Sequence, residues 1–376
     1  MSLPTFTLMI LSFLLVIGPL IFVHEMGHYW VGRWCGVHAE AFSIGFGPEV
    51  THWTDRRGTR WRLGALPLGG YVRFAGDMGI ASEPDPKWLE LPPKERNRCF
   101  HVKPVWQRAL IVLAGPVVNL LFAALILAGF ALVYGENVTT TQVQPIAHSA
   151  AEAAGLKAGD RIMSLDGRPV ADFDALTRVV PLYRAGERLD LVVERGGKRL
   201  DLPVTMGFQA VKDSLGHEVR VPMLGVRPVE IAVRKVGLLE APVIGLERTG
   251  ALIKMTADGL GRLVTGKTSI RELGGPLRIA QFSGESAASG PLALISFIAL
   301  VSINLGFINL LPIPMLDGGH LFFYGIEAIQ RRPVSARVQE IAFRSGLALL
   351  LGLMLLVTIN DLDSFGLWRG LSRLIG

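Results

Sequence analysis

The sequence predicts a polytopic α-helical membrane protein of four crossing helices, with a short β segment after the first helix and a small α+β domain inserted between the second and third. Half of the residues are hydrophobic and the mean hydropathy is +0.41, more apolar than an ordinary soluble domain. Four apolar runs each approach the roughly 20 residues that span a bilayer. Between the second and third runs, short apolar segments alternate with turn residues, the pattern of a separate folded unit.

The first run, Phe6 to Val23, has no charged residue. A secretory leader would open with Lys or Arg and close on a small-residue cleavage site. Here no Lys or Arg precedes Arg33 and the run leads into His24-Glu25, so an anchored helix is expected. The second run, Ala109 to Tyr134, is broken only by Asn119; the third covers about Pro291 to Met315 and the fourth about Ile341 to Ile359. Arg33, Arg56, Arg57, Arg60, Arg62, Arg73, Lys103 and Arg108 lie between the first two runs, and Arg331, Arg332 and Arg337 between the last two. Lys and Arg collect on the cytoplasmic side. Both termini and the 135–290 region are therefore expected on the far side, the periplasm if the cell is bacterial. The net charge of +6 fits such loops; no basic recognition helix accompanies it, which argues against a nucleic-acid partner. Cys35 and Cys99 are too few for a disulfide scaffold and fall on the reducing side.

Phe42 to Gly47 and Trp61 to Val72 read as short strands with glycine breaks. They form either a small cytosolic hairpin or a segment that dips into the bilayer where protein covers its backbone. Residues 138–206 read as the inserted domain, with a hairpin at Arg195-Gly196-Gly197. Residues 207–290 then form a linker with an amphipathic helix, Val243 to Gly266, carrying Arg248, Lys254 and Arg262. That helix lies on the membrane surface or packs on its neighbours as a soluble helix would. The four parts are thus 1–134, 138–206, 207–290 and 291–376.

His24-Glu25-Met26-Gly27-His28 fits H-E-x-x-H. On a helix, residues four apart share a face, so both imidazoles can hold one metal while Glu25 faces the attacking water as general base. Ionisable residues in a membrane helix are expensive and mark function. A catalytic zinc takes three protein ligands and keeps one open position. Asp317 is the only carboxylate in or at the edge of the third run, after Pro312 and Pro314 and before Gly318-Gly319. It reads either as the third ligand or as an Asp-Gly turn at a helix end. Asn304 and Asn309 either contact substrate or bind another helix, and Asn119 is read as a helix-binding amide. His320 is read as a solvated loop histidine. The Trp61–Val72 segment, with Gly69 and Gly70, is the candidate edge that would hold a substrate extended as an added strand.

Together, His24-Glu25-Met26-Gly27-His28, Phe42 to Gly47, Pro67-Leu68-Gly69-Gly70-Tyr71-Val72, Gly115-Pro116-Val117-Val118-Asn119, Gly274-Gly275-Pro276-Leu277-Arg278-Ile279-Ala280 and Asn309 to Gly319 resemble the site-2 protease family of intramembrane zinc metalloproteases, in its bacterial regulator-of-sigma-E branch. The resemblance implies that Asp317 is the third zinc ligand, that the glycine-rich strands are a membrane-reentrant β-loop, and that 138–206 is a periplasmic PDZ domain able to bind C-termini. It implies residence in the bacterial inner membrane. It implies substrates that are transmembrane proteins already trimmed outside, such as anti-sigma factors, and remnant signal peptides. One PDZ copy is expected, since 207–235 is too short for a second. A non-proteolytic PDZ adaptor should have lost a ligand or Glu25, and a metal transporter should show repeated halves; neither feature is present in the sequence.

Overall fold

The computed structural model describes residues 3–77, 92–170, 172–184, 186–212, 218–229, 231–267 and 274–364. In chain order the elements are α1 (Leu3–Trp34), β1 (Ala39–Thr54), β2 (Arg60–Phe74), α2 (Pro93–Arg96), α3 (Val105–Tyr134), β3 (Glu136–Thr139), β4 (Gln142–Pro145), α4 (Ala150–Ala153), β5 (Asp160–Leu165), β6 (Arg168–Pro169), α5 (Phe173–Val179), β7 (Arg188–Arg195), β8 (Lys198–Thr205), β9 (Gly207–Lys212), β10 (Glu218–Met223), β11 (Val226–Pro228), β12 (Ile231–Arg234), α6 (Ala241–Val264), α7 (Pro276–Ala288), α8 (Pro291–Asn309), α9 (Asp317–Gln330) and α10 (Ala336–Ser364). They form two compact units, Met1–Gly129 with Pro242–Gly376, and Phe130–Ala241.

In the first unit, four helices among the described residues are long and apolar enough to cross a membrane: α1, α3, α8 and α10. α1 does not stop at the histidine motif, as the charge-free run suggested; it continues to Trp34. Loss of hydrophobicity marks a change of surroundings, whereas the helix ends only where Gly36 takes φ 71°. α1 and α3 cross at glycines. A Cβ on Gly27 would lie 2.6 Å from the Ala114 carbonyl oxygen, so the two backbones touch there. Gly306 of α8 meets the Pro116 carbonyl in the same way. α8 ends at Asn309, short of the expected Met315, because Pro312 and Pro314 cannot continue it.

α6 packs on two of these long apolar helices, α3 and α8. Leu252 and Ile253 pack with Ala123, Ala299 and Ile303, and Thr256 Oγ1 donates to Asn304 Oδ1 at 2.9 Å. Leu246 and Met255 stay exposed on its other side.

β1 and β2 are long, bent strands. Ala41, Phe42, Ser43 and Ile44 pair with Arg73, Val72, Tyr71 and Gly70 on one side, and with Arg60, Trp61, Arg62 and Leu63 on the other. The second half of β1, Glu49 to Thr54, covers the outer side of residues 60–64. Trp61–Leu63 is therefore enclosed, whereas Gly70–Val72 at the other end of the predicted edge pairs with β1 on one side and with no strand on the other among the described residues. An aromatic stack ties this sheet to α1: Tyr29 meets Phe42 and Trp61 at 5.9 and 5.5 Å between ring centres.

The second unit holds a six-stranded sheet, ordered β11-β4-β5-β7-β8 with β6 paired to β5. β7 alternates as a half-buried strand must, turning Leu189, Leu191 and Val193 into the core with Val143, Ile162, Leu176 and Val204. The Gly196-Gly197 hairpin forms as expected, both residues at positive φ. The boundary at 206 was set too early. β11 pairs with β4 across some eighty residues of chain, Leu224 joins the core, and β12 pairs with β3. Strands this short, paired this far apart in sequence, leave no local signal.

Asp160 anchors this unit. Its side chain is 1% exposed and takes 2.7 and 2.6 Å bonds from Arg195. Burial pushes the carboxyl up, but the bonds from Arg195 and the Lys157 amide outweigh it and hold the group below the ordinary carboxylate range. A depressed folded-state pKa contributes stability above the unfolded value of about 3.9 that is lost as the pH falls through the folded one. Amide exchange in β5 and β7 of the full-length protein should therefore accelerate as the pH drops below about 4 once corrected for intrinsic rates, and Asp160→Asn should flatten that dependence.

Candidate metal centre

Two helices and a proline-bent loop bring three donors together. His24 and His28 lie one turn apart on α1, and Asp317 opens α9. His24 Nε2 is 3.1 Å from Asp317 Oδ2, His28 Nε2 is 3.5 Å from Asp317 Oδ1, and the two Nε2 atoms are 3.3 Å apart. Tetrahedral zinc with bonds of about 2.0–2.1 Å has ligand–ligand edges of about 3.3 Å. The triangle has that size. Two imidazole nitrogens that face each other across 3.3 Å with their lone pairs repel, and a cation between them removes the conflict.

The back of each imidazole sets its tautomer. His28 Nδ1 lies 2.9 Å from the Ile111 carbonyl, which can only accept, so Nδ1 carries the proton and Nε2 offers its lone pair. Behind His24 stands Asn119, fully buried, with its amide nitrogen 3.2 Å from Nδ1 and its Oδ1 without a hydrogen-bond partner. Amide O and N are assigned from the network. Turning the amide over gives Oδ1 the His24 Nδ1 proton and frees Nε2 in the same way. Asn119 was expected only to join helices. It does accept a bond from Ser302 through its backbone carbonyl, but its side chain orients a histidine. The signal was the polar residue in an otherwise apolar run, four positions after Gly115. A Cβ on Gly115 would overlap the His28 ring.

Asp317 does not end a helix at an Asp-Gly turn; it begins one. Gly318 and Gly319 adopt ordinary helical φ, and their value is space: a Cβ on either would strike the carbonyls of Leu310, Leu311 or Ile313 in the loop folded over them. Met315 takes a left-handed φ of 79° to make that fold.

Glu25 is buried, and its carboxylate accepts from the Val72 amide. Gly70 lets β2 lie against it, since a Cβ there would sit 2.9 Å from Glu25 Cγ. A cavity of about 430 Å³ joins His24, Glu25, His28 and Asp317 to Gly69, Gly70, Asn309, His320 and Tyr324. Asn309 is on this wall. Asn304 is not; it bonds Thr256 of α6, the helix-binding one of its two expected roles. His320, expected in a solvated loop, is on α9 and faces the cavity. Apolar and aromatic side chains, among them Phe46, Val72, Phe74 and Leu305, complete the wall.

Gly115→Ala should displace the His28 ring and cut bound zinc well below one per chain, measured by elemental analysis, while far-ultraviolet circular dichroism keeps its helical signal. Asn304→Ala should lower thermal stability by about 1 kcal/mol through the lost α6–α8 bond and leave KM for a cleavable peptide unchanged.

A family model described as Peptidase family M50 matches residues 12–353. A relative in Agrobacterium fabrum, whose name assigns it to the zinc metalloproteases, is 43% identical over 94% of this chain and 96% of that protein. The regulator of sigma E protease of Salmonella typhi is 33% identical over 93% of this chain and 97% of its own. Among solved structures, the PDZ domain of an SdrC-like protein from Listeria monocytogenes is similar to 25% of this chain over 85% of its own, at 18% identity and a TM-score of 0.19, too low to carry a fold argument. The family match runs from α1 into α10 and takes in all three donor residues, so this chain belongs to peptidase family M50, the site-2 proteases.

Proposed function

We propose that His24, His28 and Asp317 hold the catalytic zinc of this metalloprotease and that Glu25 is its general base. The observation that carries the assignment is the triangle of Nε2 and carboxylate oxygens with edges of 3.1, 3.3 and 3.5 Å beside the buried carboxylate of Glu25. Zinc supplies Lewis acidity toward the scissile carbonyl and lowers the pKa of the attacking water to about 7. Glu25, fixed by the Val72 amide, takes the proton from that water and passes it to the leaving amine. Asn309, on the cavity wall with no side-chain hydrogen bond among the described residues, contacts the substrate backbone.

The substrates are membrane proteins cut within a transmembrane segment. A helical segment hides its amides in its own hydrogen bonds, so it unwinds before hydrolysis. The Gly69–Val72 end of β2 offers an open strand side at the cavity, where an unwound segment adds as a strand. Gly69 and Gly70 let this end of β2 lie close: a Cβ on Gly69 would press on the Phe46 ring at 2.5 Å, and one on Gly70 on Ile21 and Glu25.

The inserted domain, redrawn as 136–234, acts as a PDZ domain that takes newly made C-termini on the open edge of β11 and discriminates trimmed from untrimmed substrates. The name of the Salmonella relative and the resemblance point to anti-sigma factors and remnant signal peptides as substrates. The Lys/Arg-rich segments face the cytoplasm of a bacterial inner membrane and the inserted domain faces the periplasm. Exposed Trp30, Trp34 and Trp106 stand at the α1 C-terminus and α3 N-terminus, as an interfacial aromatic belt would, which supports a site just inside the cytoplasmic boundary.

Glu25→Gln in reconstituted vesicles with a labelled transmembrane peptide should abolish cleavage while retaining one zinc per chain. Cleavage at the wild-type rate would remove Glu25 from the mechanism.

A further inference from the structure

Seven ionisable side chains line the active-site cavity: His24, Glu25, His28, Tyr71, Asp317, His320 and Tyr324. Six are committed. The two histidines and Asp317 form the donor triangle, and Glu25 takes the Val72 amide. Arg62 donates to the Tyr71 hydroxyl at 2.8 Å. Tyr324 is bonded by Arg108, whose guanidinium lies 4.9 Å from its ring centre and in turn donates to Glu327 at 2.6 Å. The nearby His101 is also taken, with Asp77 at 2.7 Å. The His320 imidazole alone makes no hydrogen bond among the described residues.

Its surroundings hold it in place all the same. The ring packs on Phe343 of α10, with centres 4.9 Å apart and planes at 37°. Phe343 is itself buried and braced by Phe323 at 5.8 Å. His320 follows Asp317 by three residues on α9, so the two share a helix face with Cβ atoms about 5–6 Å apart. It does not belong to the donor triangle, which closes with His24, His28 and Asp317. His320 is half-buried, and its ring nitrogens have no protein partner among the described residues, so they are free to bond what enters the cavity. An imidazole fixed by an aromatic neighbour and aimed into a substrate cavity is satisfied by the substrate. A neutral imidazole always has one N–H to donate.

We propose that His320 is a further catalytic residue: it donates a hydrogen bond to the scissile carbonyl oxygen as that oxygen gains negative charge. Removing one such donor from a hydrolytic site lowers kcat about 10²–10³-fold. The charge develops only in the transition state, so substrate binding is little affected. This rests on the zinc-protease reading above.

The test uses the full-length chain in detergent or vesicles and reads zinc content, kinetics and direct binding. His320→Ala should keep one zinc per chain, lose about 10²-fold in kcat and shift KM less than about 3-fold. His320→Gln, which restores a donor, should recover a large part of the loss. In the cleavage-dead Glu25→Gln background, His320→Ala should weaken binding of a phosphinic peptide, a mimic of the charged tetrahedral state, by the same factor as kcat. Binding of the parent amide peptide should change less than about 3-fold. An unchanged kcat, an equal loss in affinity for both peptides, or a loss of zinc each overturns the proposal, the last two by making His320 a binding or metal-site residue. If the wild type itself bound neither zinc nor the phosphinic peptide, the zinc-protease reading would fail and this proposal with it.

Discussion

Three polar side chains must meet at one point inside a helix bundle that offers them little water. An imidazole or carboxylate buried in such a place is costly unless its partners satisfy it. The geometry around His24, His28 and Asp317 follows from that requirement. The outward nitrogen of each histidine is bonded, one to the Ile111 carbonyl and one to the Asn119 amide, which leaves both Nε2 lone pairs directed at the same spot. The third donor arrives from a loop that two prolines keep from being helical and two glycines allow to fold tightly. A cation is the group that satisfies all three at once.

Closeness of backbones is what makes the convergence possible. Gly27 and Gly115 bring α1 and α3 into contact at the level of the histidines, and Gly306 brings α8 onto α3. In a bilayer, where burying apolar surface gives helices little reason to associate, this close packing is a main source of cohesion. It also explains why the glycines cluster near the donors. A methyl group at Gly115 would occupy the place of the His28 ring, and one at Gly70 would displace the strand that carries the Val72 amide to Glu25.

Hydrolysis also requires an extended substrate beside the zinc. The same strand pairs with β1 on one side, and its opposite side, from which the Val72 amide reaches Glu25, meets no strand among the described residues and faces the cavity. In the mechanism proposed above, general base and substrate edge form one mechanical unit, held to α1 by the Tyr29–Phe42–Trp61 aromatic contacts. An error in strand position would misplace both together.

The sequence by itself determined the class of the protein, the four crossings, the H-E-x-x-H pair and the hairpin at Gly196-Gly197. Each is written in local periodicity or in residues a few positions apart, where the physics of a single helix or turn is enough. It left Asp317 between ligand and turn, because nothing within ten residues tells a carboxylate which helix lies opposite. It read Asn119 as a mere helix contact, left Asn304 between substrate and helix contact, and read His320 as a solvated loop residue, for the same reason. Each depends on the neighbour its face meets, His24 for the first, Thr256 for the second and the cavity for the third. The extent of the inserted domain was likewise decided by β4 and β11 pairing across a long stretch of chain. Contacts between distant segments belong to the tertiary structure, since only the folded chain brings their partners within hydrogen-bonding reach.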